Sequence, residues 1–223
     1  MTMSDAPIDT NTSSPSPLIL AAVIGLFTVV SLVALGSGLG VIALPYEMAL
    51  VDQQLPVVFR LHMVSSALSL LLLPVVIGAR HRPAIHKSMG RLLGTFVVIG
   101  GLTALPVAIF SHSSPAARAG FFTQGVVWLA LLSSAIHFVR RAEYVRHAQT
   151  MLAMAAVASG AVWFRLMTGS AIWLGLPFEA TYALASWAGW LGPLALVWGH
   201  HDRLATWAFA APKPPLARPA RIV

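Results

Sequence analysis

The stretch Leu18–Leu44, LILAAVIGLFTVVSLVALGSGLGVIAL, decides the class of fold. It runs for about 27 residues without a charge, and a helix needs about 20 apolar residues to cross the hydrocarbon core of a bilayer. Backbone amides in lipid must be satisfied within one segment or in a closed barrel, and the short alternating pattern of barrel strands is missing from this sequence. The stretch therefore predicts a transmembrane α-helix.

The composition of the whole chain agrees with that class. Of the 223 residues, 57% are hydrophobic and 9% are charged, with a mean hydropathy of +0.79. A soluble domain carries about 25% charged residues. The net charge of +7 comes from short basic clusters between apolar runs, which is typical of cytoplasmic loops and argues against a nucleic-acid-binding face. Because the chain has no cysteine, disulfides, thiolate metal sites and iron–sulfur clusters are excluded.

Six apolar runs predict an all-α, polytopic bundle of six transmembrane helices between residues 18 and 198. The runs are Leu18–Leu44, Val57–Gly78, Leu92–Phe110, Phe121–Phe138, Met151–Ile172 and Ala180–Trp198. Residues 1–17 are polar and lack lysine and arginine, which predicts a disordered cytoplasmic tail and not a secretory signal. Residues 199–223 contain several prolines and arginines and predict a second cytoplasmic tail.

The basic residues predict which side each connection faces. The first, third and fifth connections contain Glu47, Asp52 and Glu179 against a single Arg118. By the positive-inside rule, the other connections and both termini lie in the cytoplasm. The basic residues on that side are Arg80, Arg82, Lys87, Arg91, Arg140, Arg141, Arg146, Arg203, Lys213, Arg218 and Arg221.

Ionisable side chains in or beside lipid are costly, so they mark candidate functional positions. Counting depth along each run predicts one polar cluster on each side of the membrane. The outer cluster contains Arg60, His62, His112 and Arg165. The inner cluster contains His86, His137 and His147, with Arg91 and Arg146 nearby.

Two histidines that face each other across a helical bundle can hold a haem iron, and arginines can pair with its propionates. A b-type haem is therefore the first hypothesis for a cofactor. Its axial ligands would be His62 and His147, with His86, Arg91 and Arg165 as further contacts. Alternative pairs are His62 with His112, and His137 with His147 or His86. The plainer interpretation is that histidines at helix ends lie in the headgroup region.

Arg165, late in the fifth run, has two interpretations. Its side chain could snorkel to the headgroups, or it could neutralise a propionate, a substrate carboxylate or a lipid phosphate. Methionines near the histidines (Met63, Met89 and Met151) would also suit copper, although methionine is an ordinary core residue as well. No acidic residue lies within a run, which argues against a carboxylate-based ion pump.

An internal similarity relates two helical hairpins, Val57–Phe110 and Phe121–Ile172. At an offset of 61 residues, Arg80 and His86 align with Arg141 and His147, and each histidine stands where a basic turn becomes the next helix. Parallel repeats of this kind are common in membrane proteins. The pattern predicts a duplicated hairpin.

Four short motifs occur in order between residues 60 and 167. They are Arg60-Leu61-His62, the turn His86-Lys87-Ser88-Met89-Gly90-Arg91-Leu92, the turn Arg146-His147-Ala148-Gln149-Thr150-Met151, and Arg165-Leu166. This part of the chain resembles an uncharacterised bacterial membrane family, domain of unknown function 2306. It departs from the family pattern at Lys87, where an arginine is usual, and in the second turn, which lacks the usual arginine and tryptophan. The resemblance implies a multi-helix protein of the bacterial inner membrane, with His62, His86, His147, Arg91 and Arg165 as its functional residues.

Three functional hypotheses follow from these residues. The first is a redox component that holds b-type haem with histidines of the second to fifth runs. The second is a small transporter or a lipid- or anion-binding protein that uses Arg165 and His62. The third is an accessory subunit without catalytic activity, which packs against a membrane-protein partner or a second copy through its small-residue helix faces. No motif in the sequence selects an enzymatic reaction.

Overall fold

A computed structural model describes residues 16–209, and every regular element in that range is helical. The α-helices are α1 (Pro17–Gly38), α2 (Tyr46–Gln54), α3 (Pro56–Gly78), α4 (Pro83–Phe110), α5 (Pro115–Arg140), α6 (Tyr144–Trp173), α7 (Phe178–Gly199) and α8 (His201–Phe209). One turn of 3₁₀ helix, Ala79–His81, joins α3 to α4. The all-α prediction is confirmed.

Proline and serine residues set where several helices begin. Proline is the first residue of α1, α3, α4 and α5, a position where its missing N–H costs nothing because that group would have no helical partner. The hydroxyls of Ser16 and Ser114 accept hydrogen bonds from the N–H groups of Ile19 and Ala117, at 3.3 and 3.4 Å. The helices therefore extend beyond the apolar runs, and α4 begins well before Leu92.

Within the described residues, five helices are long and apolar enough to cross a bilayer: α1, α3 with its 3₁₀ turn, α4, α5 and α6. Helix α7 has the same length as α1, 22 residues, but its tryptophans, glycines and proline lower its hydropathy. The chain is thus a polytopic membrane protein.

Two antiparallel hairpins form the centre of the bundle. Helices α3 and α4 form one hairpin, α5 and α6 form the other, and the two pack together through α4 and α5. Helix α1 lies against α3, while α7 packs against α6 and α5. The shared core contains Leu93, Val97, Met154 and Val157, none of which is exposed. Helices α3 and α6 touch only sparsely, which leaves room between the hairpins.

The helix connections alternate between two ends of the bundle. The α2 end contains α2 and the turns that follow α4 and α6, and the α8 end contains α8 and the turns that follow α3 and α5. The guanidinium of Arg80 lies 4.2 Å above the ring of Trp207 and so joins the 3₁₀ turn to α8. Among the described residues, Arg60, Arg118 and Arg165 belong to the half of the bundle at the α2 end, and the other basic residues belong to the α8 end.

The structure changes two of the predicted boundaries. The run Leu18–Leu44 is not one helix, because α1 ends at Gly38 and the chain turns through Gly40, whose φ of +76° is accessible to glycine at little cost. The predicted tail from residue 199 contains helix α8. The rest of the two predicted tails, residues 1–15 and 210–223, lies outside the described residues.

Candidate functional site

A cavity of about 220 Å³ lies between the two hairpins in the half of the bundle at the α2 end. Seven helices, α1 to α7, contribute to its wall. Its lining on α6 extends from Ala158 to Arg165, about 10 Å along a helix that rises about 1.5 Å per residue. Leu70, Trp128 and Ala158 form an apolar floor near the middle of the bundle. Charged side chains occur only toward the α2 end, so the cavity has an apolar inner part and a polar outer part.

Arg165 is the cation of this cavity. Its side chain is half-buried on α6, and Nη1 donates a hydrogen bond to the carbonyl of Ala161 at 2.8 Å. Among residues 16–209, no carboxylate lies within 4.0 Å of it. A guanidinium has five N–H donors, so most of its hydrogen-bonding capacity is free for a ligand. An arginine without a counter-charge at membrane depth marks a candidate anion site.

His62 lines the same cavity from α3. Its Nδ1–H donates to the carbonyl of Gly100 on α4 at 3.0 Å, and the hydroxyl of Ser66 lies 3.4 Å from the same nitrogen. A side chain at position 100 would crowd this region, because an added Cβ would meet the Ser66 hydroxyl at 2.9 Å. The hydrogen bond leaves Nε2 as the nitrogen that can contact a ligand.

Three further polar residues of the cavity escaped the sequence-based prediction. Gln124 on α5 donates from Nε2 to the carbonyl of Val157 at 3.0 Å. Tyr182 on α7 packs edge-on against Phe164, with ring centroids 4.9 Å apart. Glu47 on α2 is exposed and is the acidic residue of the lining. An amide inside the fourth apolar run was a usable signal for Gln124, whereas Tyr182 and Glu47 stood in ordinary positions near helix ends.

The predicted outer cluster separates into two pairs. His62 and Arg165 share the cavity, while Arg60 and His112 bind helix α2. The Nε and Nη2 groups of Arg60 donate to the two carboxylate oxygens of Asp52, each at 3.0 Å. His112 Nε2 lies 3.3 Å from the side-chain nitrogen of Gln54. These contacts attach α2 to α3 and to the turn after α4.

The ion pair on α2 gives a pH-dependent prediction. The hydrogen bonds that Asp52 accepts from Arg60 hold the pKa of its carboxyl below the usual value. A depressed pKa contributes stability above the unfolded value, about 3.9, and that contribution is lost as the pH falls through the lower folded value. We expect Asp52→Asn to lower the melting temperature equally at pH 8 and pH 5, with the difference from wild type shrinking as the pH falls below about 3.9. A difference that changed between pH 8 and pH 5 would contradict this assignment.

At the α8 end, His86 and His147 make matching contacts. His86 Nδ1–H donates to the carbonyl of Val76 at 3.0 Å, and His147 Nδ1–H donates to the carbonyl of Ala135 at 2.9 Å. Each histidine therefore ties the second helix of a hairpin to the end of the first. The pairing predicted at an offset of 61 residues is thus a pair of equivalent structural contacts.

A similar buried glycine occurs in each hairpin, although the two glycines are 60 residues apart and so do not align at the offset of 61. Gly100 in α4 and Gly160 in α6 are both buried beneath polar side chains of the preceding helix. An added Cβ at Gly160 would meet the side-chain nitrogen of Gln124 at 2.7 Å, as one at Gly100 would meet Ser66. Close helix approach at small residues is the usual packing mode in membranes.

The remaining residues of the predicted inner cluster do not join His86 and His147. His137 and Arg91 are exposed, and Arg146 forms an ion pair with Glu143 at 2.8 Å. The structure thus places Arg91 at the bundle surface, near the α8 end.

We predict that His147→Ala and His86→Ala each reduce stability. Each change removes one side-chain hydrogen bond to a helix carbonyl, which contributes about 1 kcal/mol. The melting temperature in detergent is therefore expected to fall for both variants. His137→Ala, at an exposed position of the same end, serves as the control and should melt like the wild type. Equal melting of all three variants would refute the structural role.

The geometry does not fit a haem held by His62 and His147. His147 and Arg165 are 18 positions apart on α6, about 27 Å along the helix, and His62 shares the cavity with Arg165. The two histidines therefore lie at opposite ends of the bundle and cannot hold one iron. At the α8 end, Met89 and Met151 pack against the hydrophobic core. Among the described residues, no group of three or more His, Cys, Asp or Glu side chains could hold a metal ion.

Comparison with known proteins places most of this bundle in one family. Residues 59–198 match a family model described as "Predicted membrane protein (DUF2306)". The match contains His62 and Arg165, and it begins after helices α1 and α2. No curated protein and no solved structure matches the chain.

Proposed function

We propose that this chain, which belongs to the DUF2306 family of predicted membrane proteins, binds a short- to medium-chain organic carboxylate in the cavity at its α2 end. The observation that carries the proposal is Arg165, a guanidinium without a carboxylate partner among residues 16–209, in the wall of a largely apolar cavity. A carboxylate accepts two parallel N–H bonds from a guanidinium. Its apolar part would lie along the floor formed by Leu70, Trp128 and Ala158.

The size of the cavity favours this class of ligand. At about 220 Å³ it is smaller than the roughly 300–1,000 Å³ of sites for drug-sized ligands. A whole phospholipid is too large for it. A carboxylate with a short alkyl or aryl chain matches both the single cation and the limited apolar space.

Two other groups would complete the recognition of the ligand head. His62 presents Nε2, because its Nδ1–H is held by Gly100, and Tyr182 contributes a phenolic hydroxyl. With Arg165 they stand on three different helices, α3, α6 and α7. Groups that converge from separate helices fix the orientation of a ligand better than one side chain alone.

The proposal includes an orientation in a bacterial cytoplasmic membrane. Helix α7 would be a sixth span, supported by its 22 residues and its packing against α6. The α8 end and both termini would face the cytoplasm, since most described basic residues belong to that end. The cavity would then lie in the outer half of the membrane.

Quenching of tryptophan fluorescence by 8-bromooctanoate tests the function. Bromine on the tail would lie near Trp128 on the cavity floor, so saturable quenching is expected for the purified wild type in detergent. Trp128→Phe should lose most of that quenching, which would show that Trp128, of the seven tryptophans, is the one that is quenched. The matched control ligand is 8-bromooctanol, which lacks the carboxylate. Equal quenching by 8-bromooctanol would refute the proposal. It would also be refuted if the purified protein showed the Soret absorption band of bound haem and did not bind the carboxylate.

Glu47→Gln is predicted to strengthen binding of 8-bromooctanoate. Glu47 is the acidic residue of the lining, so its charge opposes an anionic ligand. Because it is exposed on α2, the effect is expected to be modest, a decrease in Kd of about threefold, and to shrink as salt is added. Glu179→Gln, an exposed change near the start of α7 outside the cavity lining, is the control and should leave the Kd unchanged. A weaker-binding Glu47→Gln variant would contradict the assigned polarity of the site.

A further inference from the structure

We propose that helix α2 is a gate over the cavity, held shut by its contacts with Arg60 and His112, and that the ligand enters from the water at the α2 end. This inference rests on the proposed function, since it concerns access to the same cavity. One broad face of α2 carries the argument, because its residues both line the cavity and bind the bundle.

The cavity side of α2 consists of Glu47, Met48 and Val51. All three belong to the cavity lining, and Val51 is buried in a small core with Phe59 and Met63 of α3. Helix α2 is therefore part of the wall at the outer end of the cavity. At nine residues it is too short to cross a membrane, which leaves it at the end of the bundle.

The polar attachments of α2 are few, and its apolar attachment is the small core around Val51. Asp52 accepts two hydrogen bonds from Arg60 of α3, and Gln54 contacts His112 in the turn after α4. The Arg60 side chain is 53% exposed, so water can replace its contacts at modest cost. A helix held in this way can leave its position more readily than one held by an extensive apolar interface.

Both ends of α2 have joints at which the backbone can turn. Before it, Gly40 adopts a φ of +76°, and the guanidinium of Arg60 lies 3.8 Å from the place where a Cβ would stand. After it, Leu55 is not helical, with φ −134° and ψ 57°, although α3 begins at the next residue. Hinges are commonly a few such residues at the ends of elements.

The helices around the cavity leave the α2 end as the route by which a ligand enters. Helices α1, α3, α4, α5, α6 and α7 all contribute lining residues and so surround it laterally. The charged groups of the lining, Arg165 and Glu47, lie toward α2. A carboxylate that enters from water can keep its charge solvated until it reaches Arg165, whereas a path through lipid would require its desolvation.

A thiol reporter in the cavity tests the gate without any ligand. Because the natural chain has no cysteine, Ser66→Cys places a single thiol in the lining. Its rate of modification by anionic, membrane-impermeant sulfonatoethyl methanethiosulfonate is measured in the otherwise wild-type chain, and then with Asp52→Asn or Arg60→Gln added. Gln53→Cys, exposed on α2, is the control thiol. Ala104→Cys, also in the lining, is a second reporter if Ser66→Cys fails to fold.

We expect both single changes to raise the rate at position 66 by about fivefold, the upper range for an exposed ion pair, and to leave the rate at position 53 unchanged. The two changes remove opposite charges, so a simple field effect on the anionic reagent would shift the rates in opposite directions. The charge swap Asp52→Arg with Arg60→Asp should restore the slow rate. Unchanged rates at position 66, opposite shifts, or a swap without recovery would overturn the gate.

The outcomes separate the gate from the proposed function. If modification depends on Asp52 and Arg60 but 8-bromooctanoate does not bind, the carboxylate ligand is refuted and the gate is retained. If 8-bromooctanoate binds but modification does not depend on Asp52 and Arg60, the gate alone is refuted.

Discussion

Arg165→Gln is expected to weaken binding of 8-bromooctanoate by about 100-fold. Removing one partner of a desolvated, hydrogen-bonded charge pair costs about 2–5 kcal/mol, and about 2.8 kcal/mol corresponds to that factor. Glutamine retains a polar side chain, but it is shorter and loses the charge and the two parallel donors. Arg165→Lys should bind with intermediate affinity, because a lysine keeps the charge and cannot offer the planar fork.

The matched control for this prediction is Arg118→Gln. Arg118 belongs to the same end of the bundle, donates to the carbonyl of Ile109 and is not part of the cavity lining. Its loss changes the net charge by the same amount as Arg165→Gln does. Because solvent screens a charge outside the cavity, Arg118→Gln should leave the Kd for 8-bromooctanoate within about twofold of the wild-type value. Comparable losses in both variants would show that the anion is attracted by the surface field and not bound by Arg165.

Gly160→Leu is expected to destabilise the bundle by about 3 kcal/mol, near the upper range for overpacking. Gly160 is buried where α5, α6 and α7 meet, and an added Cβ would lie 2.7 Å from both Gln124 Nε2 and the Cβ of Trp190. The backbone of Trp190 is only 3.2 Å from the same point, so a rotamer change alone cannot make space. The measurement is thermal unfolding in detergent, followed by loss of monodisperse protein.

Gly169→Leu on the same helix is the control. Nothing lies within 4 Å of a Cβ placed there, and the residue is exposed. Leucine favours the helix more than glycine does, so this variant should be as stable as the wild type or slightly more stable. If both leucine variants melted alike, the close approach of α6 and α7 at Gly160 would be wrong.

For the two histidines at the α8 end, the sequence predicts their equivalent positions, but only the structure shows their role. The spacing of His86 and His147 predicts equivalent positions in two hairpins, and the structure has equivalent contacts there. Whether these histidines could ligate haem depends on the directions of their side chains, which the spacing does not give. Because each Nδ1–H is bound to a helix carbonyl, these histidines connect helices.

The sequence alone determined that this chain is an all-α membrane protein and where its apolar runs lie, because lipid tolerates few charges and demands internally bonded backbone. It also placed His62 and Arg165 at similar depth, since helical rise converts position along a run into height. The family motifs added the same residues, and the match to residues 59–198 confirms the membership.

Only the tertiary structure decided which of these residues meet, because that depends on the rotation of each helix about its axis and on which helices are neighbours. Depth grouped Arg60 and His112 with His62 and Arg165. In the structure Arg60, on α3, and His112, in the turn after α4, contact α2, whereas His62 and Arg165 line the cavity. The long apolar run at Leu18–Leu44 gave no sign that α1 would end at Gly38 and that α2 would fold over the bundle. Apolar composition specifies burial in lipid, whereas the cavity arises from the space that packing leaves between two hairpins.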